Sequence, residues 1–450
     1  MKIIELENEF TNFISEFQND PWVIVPVYSN GDVPVYVDTI SLMYVYVLYK
    51  DEEAVFIFNH TEGLQLPEHL IDRLPNSNKM FVYGKKKFKS ISNNSNLIDI
   101  DLIEYFYRNQ PMEDDFDTPA HEFFTRTIYN FKNLNTIIPI SKHIEKSQSI
   151  TRRFLEVYET FHDNEAFDMY NNLIIDNLFQ IEKTGLYVNK DEFFAKFANK
   201  SVFNGYVYSE YNIYTTTGRP SNRFGHVNFA ALNKENGERS VFTSRFGKNG
   251  FLMSFDYDAY HLRLLAFLVD YAFPENVSVH EYLGTFYFGK SELTHDEYVE
   301  SKSISFRQLY GGIQKEYLEI PFFEKIDEYT KLLWKKFQDD GYIETPLFHR
   351  RLFKSFFTDM NAAKLLNYIL QAFETERNMA VIQAIHEFKQ SFASELILYT
   401  YDSFLLDFNI NDGASVVRKI KDILEQNGHF PVKIEIGTDY QHMKSVKITT

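Results

Sequence analysis

The chain has 450 residues, no cysteine and a formal net charge of −17. That length allows roughly two to four domains and a large core. Absence of cysteine excludes disulfides and thiolate-bound zinc or iron–sulfur sites. The acidic balance argues against binding nucleic acid through bulk charge, but not against a cleft with its own Lys and Arg. No leader segment or bilayer-length apolar run stands out, so a soluble, cytoplasmic chain without a membrane partner is expected.

In chain order, Trp22–Tyr28, Pro34–Tyr49 and Ala54–Phe58 read as strands, with Asn30-Gly31 as a turn. The basic run Lys85-Lys86-Lys87-Phe88-Lys89 reads equally as a phosphate contact or a solvated loop. Helical stretches follow near 101–108 and 119–131, separated by an acidic, proline-containing linker at 111–120. From about Ser147 to Lys183 the pattern is again helical, with Thr151, Asp163 and Asn164 as candidate caps or breaks. Leu173, Ile174, Leu178 and Ile181 form an apolar stripe that suits a core face. Tyr214–Asn222 has the composition of a loop.

The stretch Phe251–Leu268 starts as a buried strand and continues as a helix over Tyr260–Val269. Asp256 and Asp258 stand where the strand runs out. A carboxylate held there suits a hard cation such as Mg2+; a helix N-cap is the plainer reading. Thr294–Tyr310 reads as a helix, with Thr294 and Glu297 as a capping box and Gly311-Gly312 as its end. Lys302, Phe306 and Tyr310 are four apart and share one face. Residues 355–389 read as a long helix on which Asn367 and Gln371 share a face. Glu395–Asp407 reads as two strands meeting at Tyr401-Asp402-Ser403, a hairpin tipped by an aspartate. Two aspartates from separate strands of one sheet could hold a metal pair for in-line phosphoryl transfer. Val416–Gln426 as helix and Pro431–Ile436 as strand close the chain.

The order Thr217-Gly218-Arg219, Asp256-Tyr257, Lys302…Phe306…Tyr310-Gly311, Asn367…Gln371, Tyr401-Asp402-Ser403 resembles the family A (polymerase I-like) DNA polymerases, from about Leu173 onward. In size the chain resembles those of bacterial viruses. The resemblance implies an α+β, multidomain right hand, with antiparallel-sheet palm, helical fingers and reduced thumb, behind an α/β exonuclease-like domain. The implied divisions are 1–146 exonuclease-like, 147–201 thumb, 202–266 and 355–450 palm, and 267–354 fingers. It implies primer extension on a DNA template from dNTPs, in viral genome replication, with two Mg2+ (Mn2+ substituting) on Asp256, Asp402 and the Tyr257 carbonyl. Lys302 would bind the triphosphate with help from His280. Phe306 would pack on sugar and base, and Tyr310 at the template position. Arg219, Asn228, Arg263, Asn367 and Gln371 would contact DNA, and Arg350 or Arg351 would face nucleic acid from a hairpin spanning Gly341–Leu352. Helper partners of the kind expected are a processivity factor, a helicase or a single-strand-binding protein.

Four departures qualify the resemblance. Val25-Pro26-Val27-Tyr28 stands where an exonuclease Asp-x-Glu is expected; Asp38, Asp99 and Asp101 supply no ligand set, so proofreading is not expected. His261 stands where the family has the glutamate that blocks a ribose 2′-hydroxyl, so weaker or pH-dependent sugar discrimination is expected. Tyr298 replaces a phosphate-binding arginine, and Ser403 a glutamate. These changes keep two alternatives open: a non-catalytic nucleic-acid-binding protein descended from a polymerase, and a polymerase that accepts ribonucleotides.

Overall fold

The computed structural model describes residues 1–16, 21–28, 42–58, 63–75, 79–112, 140–162, 164–197, 200, 202–222, 227–232, 235–274, 277–389 and 392–447. The Asn30-Gly31 turn, the strand start at Pro34, Asp38, the linker beyond 112, the helix near 119–131 and Asp163 lie outside them. Two compact units divide the chain, Met1–Phe179 and Gln180–Thr450.

The first unit is built on a mixed sheet of β1 (Lys2–Ile4), β2 (Trp22–Tyr28), β3 (Leu42–Tyr49), β4 (Glu52–Ile57), β5 (Met80–Val82) and β6 (Leu97–Asp99), in the order β1-β4-β3-β2-β5-β6. β2 pairs antiparallel with β3 along its length, but with β5 only over Trp22–Ile24. Pro26, which has no N–H to give, therefore lies beyond the β5 ladder. Helix α1 (Glu7–Glu16) lays Phe10 and Phe13 edge-on against Phe56. The basic run is not a loop. It forms a short helix, α2 (Lys85–Phe88), with Lys85 buried and its Nζ 2.6 Å from the Asn171 carbonyl. Asp99 caps α3 (Ile100–Arg108), accepting from the Asp101 N–H at 2.8 Å and the Lys85 N–H at 3.1 Å. Thr151 is no cap: helix α4 runs Ile140–Tyr158, and the hydroxyl bonds back to Ser147 within it. Asn164 does cap α5 (Glu165–Asp168), which a π segment, Met169–Ile174, extends. Helix α6 is Ile175–Thr184.

In the second unit, β7 (Leu186–Tyr187), α7 (Lys190–Lys196), β8 (Tyr206–Val207), β9 (Tyr211–Asn212) and β10 (Ser221–Asn222) lead to β11 (Gly250–Tyr257). β11 is the middle of an antiparallel sheet, β14-β15-β11-β16-β17, whose other strands are β14 (Glu395–Thr400), β15 (Ser403–Asn409), β16 (Val432–Gly437) and β17 (Lys444–Val446). Leu252 packs from one face with Phe229, Phe242, Leu398 and Leu405. Residues two apart share a face, so Ser254 and Asp256 point the same way as Leu252.

Helices α8 (Tyr260–Leu268), α9 (Val279–Phe288), α10 (His295–Gly311), α11 (Pro321–Asp340), α12 (Ala362–Phe388) and α13 (Gly413–Glu425) complete this unit. The expected capping box starts α10: the Glu297 N–H donates to Thr294 Oγ1 and the Thr294 N–H to Glu297 Oε2. Pro321 opens α11 and Gly341, at φ +76°, closes it. α12 is shorter than the pattern over 355–389 suggests. Asn361 accepts the Lys364 N–H and starts the helix, and Lys354–Phe356 form a separate short turn. The hairpin of β12 (Tyr342–Glu344) and β13 (Arg351–Phe353) leaves Arg351 exposed, paired with Glu344 at 3.1 Å. Arg350 is only 1% exposed, so of the two arginines it does not face solvent. No described helix is long and apolar enough to cross a membrane.

Glu376, on α12, accepts the N–H groups of Leu347 and Phe348 and so fastens the hairpin's connecting loop. Burial pushes its carboxyl up to about 7. Its folded pKa then exceeds its unfolded one. The stabilising protonated form is fully present below the ordinary carboxyl range and is lost as pH rises through about 7. Between pH 5 and 8, urea unfolding of the wild type should lose on the order of 2 kcal/mol more than Glu376→Gln does. Parallel curves for the two proteins would reject the assignment.

Candidate active site

Asp256 lies directly opposite Ser403 in the β11–β15 ladder, and the β14–β15 turn holds Asp402 beside it. The Tyr257 N–H donates to the Asp402 carbonyl at 2.9 Å, which locks the turn onto the strand. Ser254 Oγ is 3.1 Å from both Asp256 Oδ2 and Ser403 Oγ. Burial, and then the charge of Asp256, push the Asp402 carboxyl above its ordinary value. The pair thus repel each other across a polar cavity of about 340 Å3, which Glu435 and Tyr440 also line. Among the described residues, no group of three or more His, Asp and Glu is placed to hold a metal ion. Asn228 is exposed, and its carbonyl starts the Phe229–Ala231 turn at the cavity rim.

Ala259, at φ +51°, turns the strand into α8. His261 is therefore presented from the first turn of the helix. Its Nε2 is 3.0 Å from Glu374 Oε1 and its Nδ1 2.6 Å from the Tyr310 hydroxyl. Arg263 is engaged locally, donating from Nε to the Asp258 carbonyl at 3.0 Å. Burial pushes Asp258 up, but Lys433 at 2.6 Å and Arg263 outweigh it and hold the carboxyl below its usual range.

On α10, Phe306 and Tyr310 stand 39% and 44% exposed with their rings within 4° of parallel. Exposed aromatic faces in register suit a flat ligand. Lys302, on the same face, sits with Nζ 4.5 Å from the Tyr298 ring centroid, so Tyr298 gives the cation a seat. His280 is buried beneath, its ring beside those of Tyr298 and Phe306. Burial, and then the charge of Lys302, push it down to about 4, so it brings hydrogen bonding rather than charge at neutral pH.

The loop between β9 and β10 carries Arg219. Its Nε is 2.6 Å from Glu374 Oε2, and its guanidinium lies 3.6 Å over the Tyr401 ring. Tyr401 holds φ +59°, a strained turn conformation for a residue with a side chain, and Asn378 donates to its carbonyl at 2.7 Å. Gln371 accepts from Thr217 at 3.1 Å, and Asn367 donates to the Tyr310 carbonyl at 3.2 Å. Arg219, His261, Tyr310, Asn367 and Gln371 are thus linked through α12, next to the aspartate pair.

Sequence reasoning missed the middle of α12. Glu374, Thr375, Glu376, Arg377 and Asn378 are consecutive, polar and at most 2% exposed. Polar residues on every face of a helix among apolar turns were the available signal. Arg377 donates to the Tyr257 and Tyr260 hydroxyls at 2.8 Å each and to the Leu424 carbonyl at 2.7 Å, with Phe430 stacked 3.7 Å away. Those tyrosines flank the turn that carries Asp258, and Tyr257 directly follows Asp256. Removing the guanidinium strands several buried polar groups. Arg377→Leu should therefore cost about 3 kcal/mol or more in urea unfolding, and Arg377→Lys should recover little of it. A loss under about 1 kcal/mol would reject this role.

No protein-family model and no curated protein matches the sequence. Among solved structures, the chain is similar to the POL domain of Pol1 from M. smegmatis in complex with DNA primer-template and dNTP. The TM-score is 0.69 at 13% identity, over 98% of this chain and 100% of the other. The chain therefore has the fold of that polymerase domain.

Proposed function

We propose that this chain is a family A-like, template-directed DNA polymerase that adds dNTPs to a primer 3′ end. The carrying observation is the aspartate pair. Asp256, half-buried on its strand, and Asp402, at the tip of the neighbouring hairpin, stand side by side at a polar cavity, where the charge of Asp256 adds to the cost of ionising Asp402. A pair of hard cations relieves that repulsion, and carboxylate oxygens are the donors Mg2+ or Mn2+ takes. Asp256, Asp402 and the Tyr257 carbonyl would hold the ions. When bound, the ions supply positive charge that favours the primer 3′-alkoxide and offsets charge on the triphosphate.

The other roles follow the resemblance. Lys302 meets the triphosphate, and the neutral His280 beneath it donates a hydrogen bond. Phe306 and Tyr310 stack on the incoming and template bases. Arg219, Asn228, Asn367 and Gln371 contact primer and template, and Arg263 supports the turn that carries Asp256. His261 lies against the sugar of the incoming nucleotide. The segments 202–266 and 355–450 act as palm, 267–354 as fingers and 147–201 as a reduced thumb. The first unit serves as an exonuclease-like domain without the chemistry, because Asp99 is spent on capping α3.

The test is extension of a labelled primer-template with dNTPs and Mg2+. Wild type should extend. Asp256→Ala and Asp402→Ala should each lose on the order of 10³-fold in rate while still binding the duplex. If wild type binds the duplex yet adds nothing with Mg2+ or Mn2+, the reading fails and a binding protein replaces it.

A further inference from the structure

One buried carboxylate near the aspartate pair is not singled out by motif matching. Glu374 is 1% exposed, with Arg219 2.6 Å from one oxygen and His261 Nε2 3.0 Å from the other. Burial pushes it up, but His261 and Arg219 outweigh burial and hold it below the usual range. It is therefore an anion, and an anion only accepts. The proton on His261 must then sit on Nε2. In the neutral ring this leaves Nδ1 as an acceptor for the Tyr310 hydroxyl at 2.6 Å. Burial, and then Glu374, push Tyr310 up to about 12, so it keeps its proton to give. The result is one directed chain, Tyr310 to His261 to Glu374, with Arg219 ion-paired to the other carboxylate oxygen. It joins α10, α8, α12 and the β9–β10 loop.

We propose that Glu374 is a positioning residue: it fixes the tautomer and ring orientation of His261, and through it the Tyr310 hydroxyl, and so sets how well the site excludes a ribose 2′-hydroxyl. This rests on the polymerase reading, in which His261 faces the sugar. A histidine alone has two tautomers and two ring flips, and only one combination keeps the Tyr310 bond with Nδ1 as acceptor. The carboxylate on α12 selects it. Side-chain charge is thus supplied to the sugar-facing position from a neighbouring helix.

The experiment uses the full chain with 15N-labelled histidine, the His261 signals being assigned by their loss in His261→Gln. Imidazole nitrogen shifts should report a single Nε2–H tautomer in the wild type and a mixture in Glu374→Gln. In primer extension, Glu374→Gln should lower the preference for dNTP over the matching ribonucleotide about tenfold, with KM for dNTP raised and kcat within a few-fold. Tyr310→Phe should leave the tautomer as in wild type. If Glu374→Gln misfolds because Arg219 is left unpaired, Glu374→Gln/Arg219→Met carries the nitrogen-shift measurement. Wild-type-like tautomer and selectivity in the variant would overturn the proposal. If wild type extends nothing, the polymerase reading and the selectivity role fall together, and the nitrogen shifts alone decide whether Glu374 positions His261.

Discussion

Burying a polar run inside a helix carries a cost that only partners can offset. In the middle of α12, residues Glu374 to Asn378 face inward on all sides. An unpaired buried amide or hydroxyl costs a few kcal/mol, and an unpaired charge more. Four of the five accordingly reach other elements, while the Thr375 hydroxyl bonds back to the Gln371 carbonyl within the helix. Glu374 takes the β9–β10 loop and α8, Glu376 the loop of the β12–β13 hairpin, Arg377 the end of α13, and Asn378 the turn that carries Asp402. Apolar packing would hold these elements close but leave their rotation loose. Hydrogen bonds of fixed direction do not. The relative placement of Asp256, Asp402, His261 and Arg219 therefore depends on this helix, which contributes neither aspartate.

That dependence explains which features were legible in the sequence. The strand ending at Asp256, the hairpin tipped by Asp402 and the capped helix with Lys302, Phe306 and Tyr310 on one face all rest on local periodicity or capping, and they appear where expected. The role of Glu374 rests on partners far away in sequence, Arg219 and His261, and no local pattern encodes that. Lys85 was misread for the same reason: a run of lysines looks solvated until Asn171 and Asp176 are known to close over one of them. The start of α12 was misplaced because its periodicity continues upstream of Asn361, and only the cap says where the helix begins.

The net charge of −17 also becomes less informative once the site is seen. Arg219 is held by Glu374, and Arg263 and Lys433 by Asp258. A phosphate reaching any of them exchanges one anion for another, which brings little net gain. Lys302 instead rests on the ring of Tyr298. A ring has no charge to be displaced, so a phosphate adds to the interaction. A tyrosine at 298, where the resemblance implies an arginine, thus leaves Lys302 well presented.

The two units use their aspartates in opposite ways. Asp99 in the first receives backbone N–H groups from Lys85 and Asp101, the donors a helix start leaves over. Its burial raises it to about 6, yet its oxygens are already engaged in closing the fold. Asp402 in the second is raised by burial and by another carboxylate, an arrangement that helps nothing in the free chain. Folding by itself gives no reason to set two acids side by side in a cavity when Asn or Ser would fit the same turn at lower electrostatic cost. A cation gives that reason. On this physical ground, the aspartate of the first unit is a cap, and the pair in the second supports the proposed cation site.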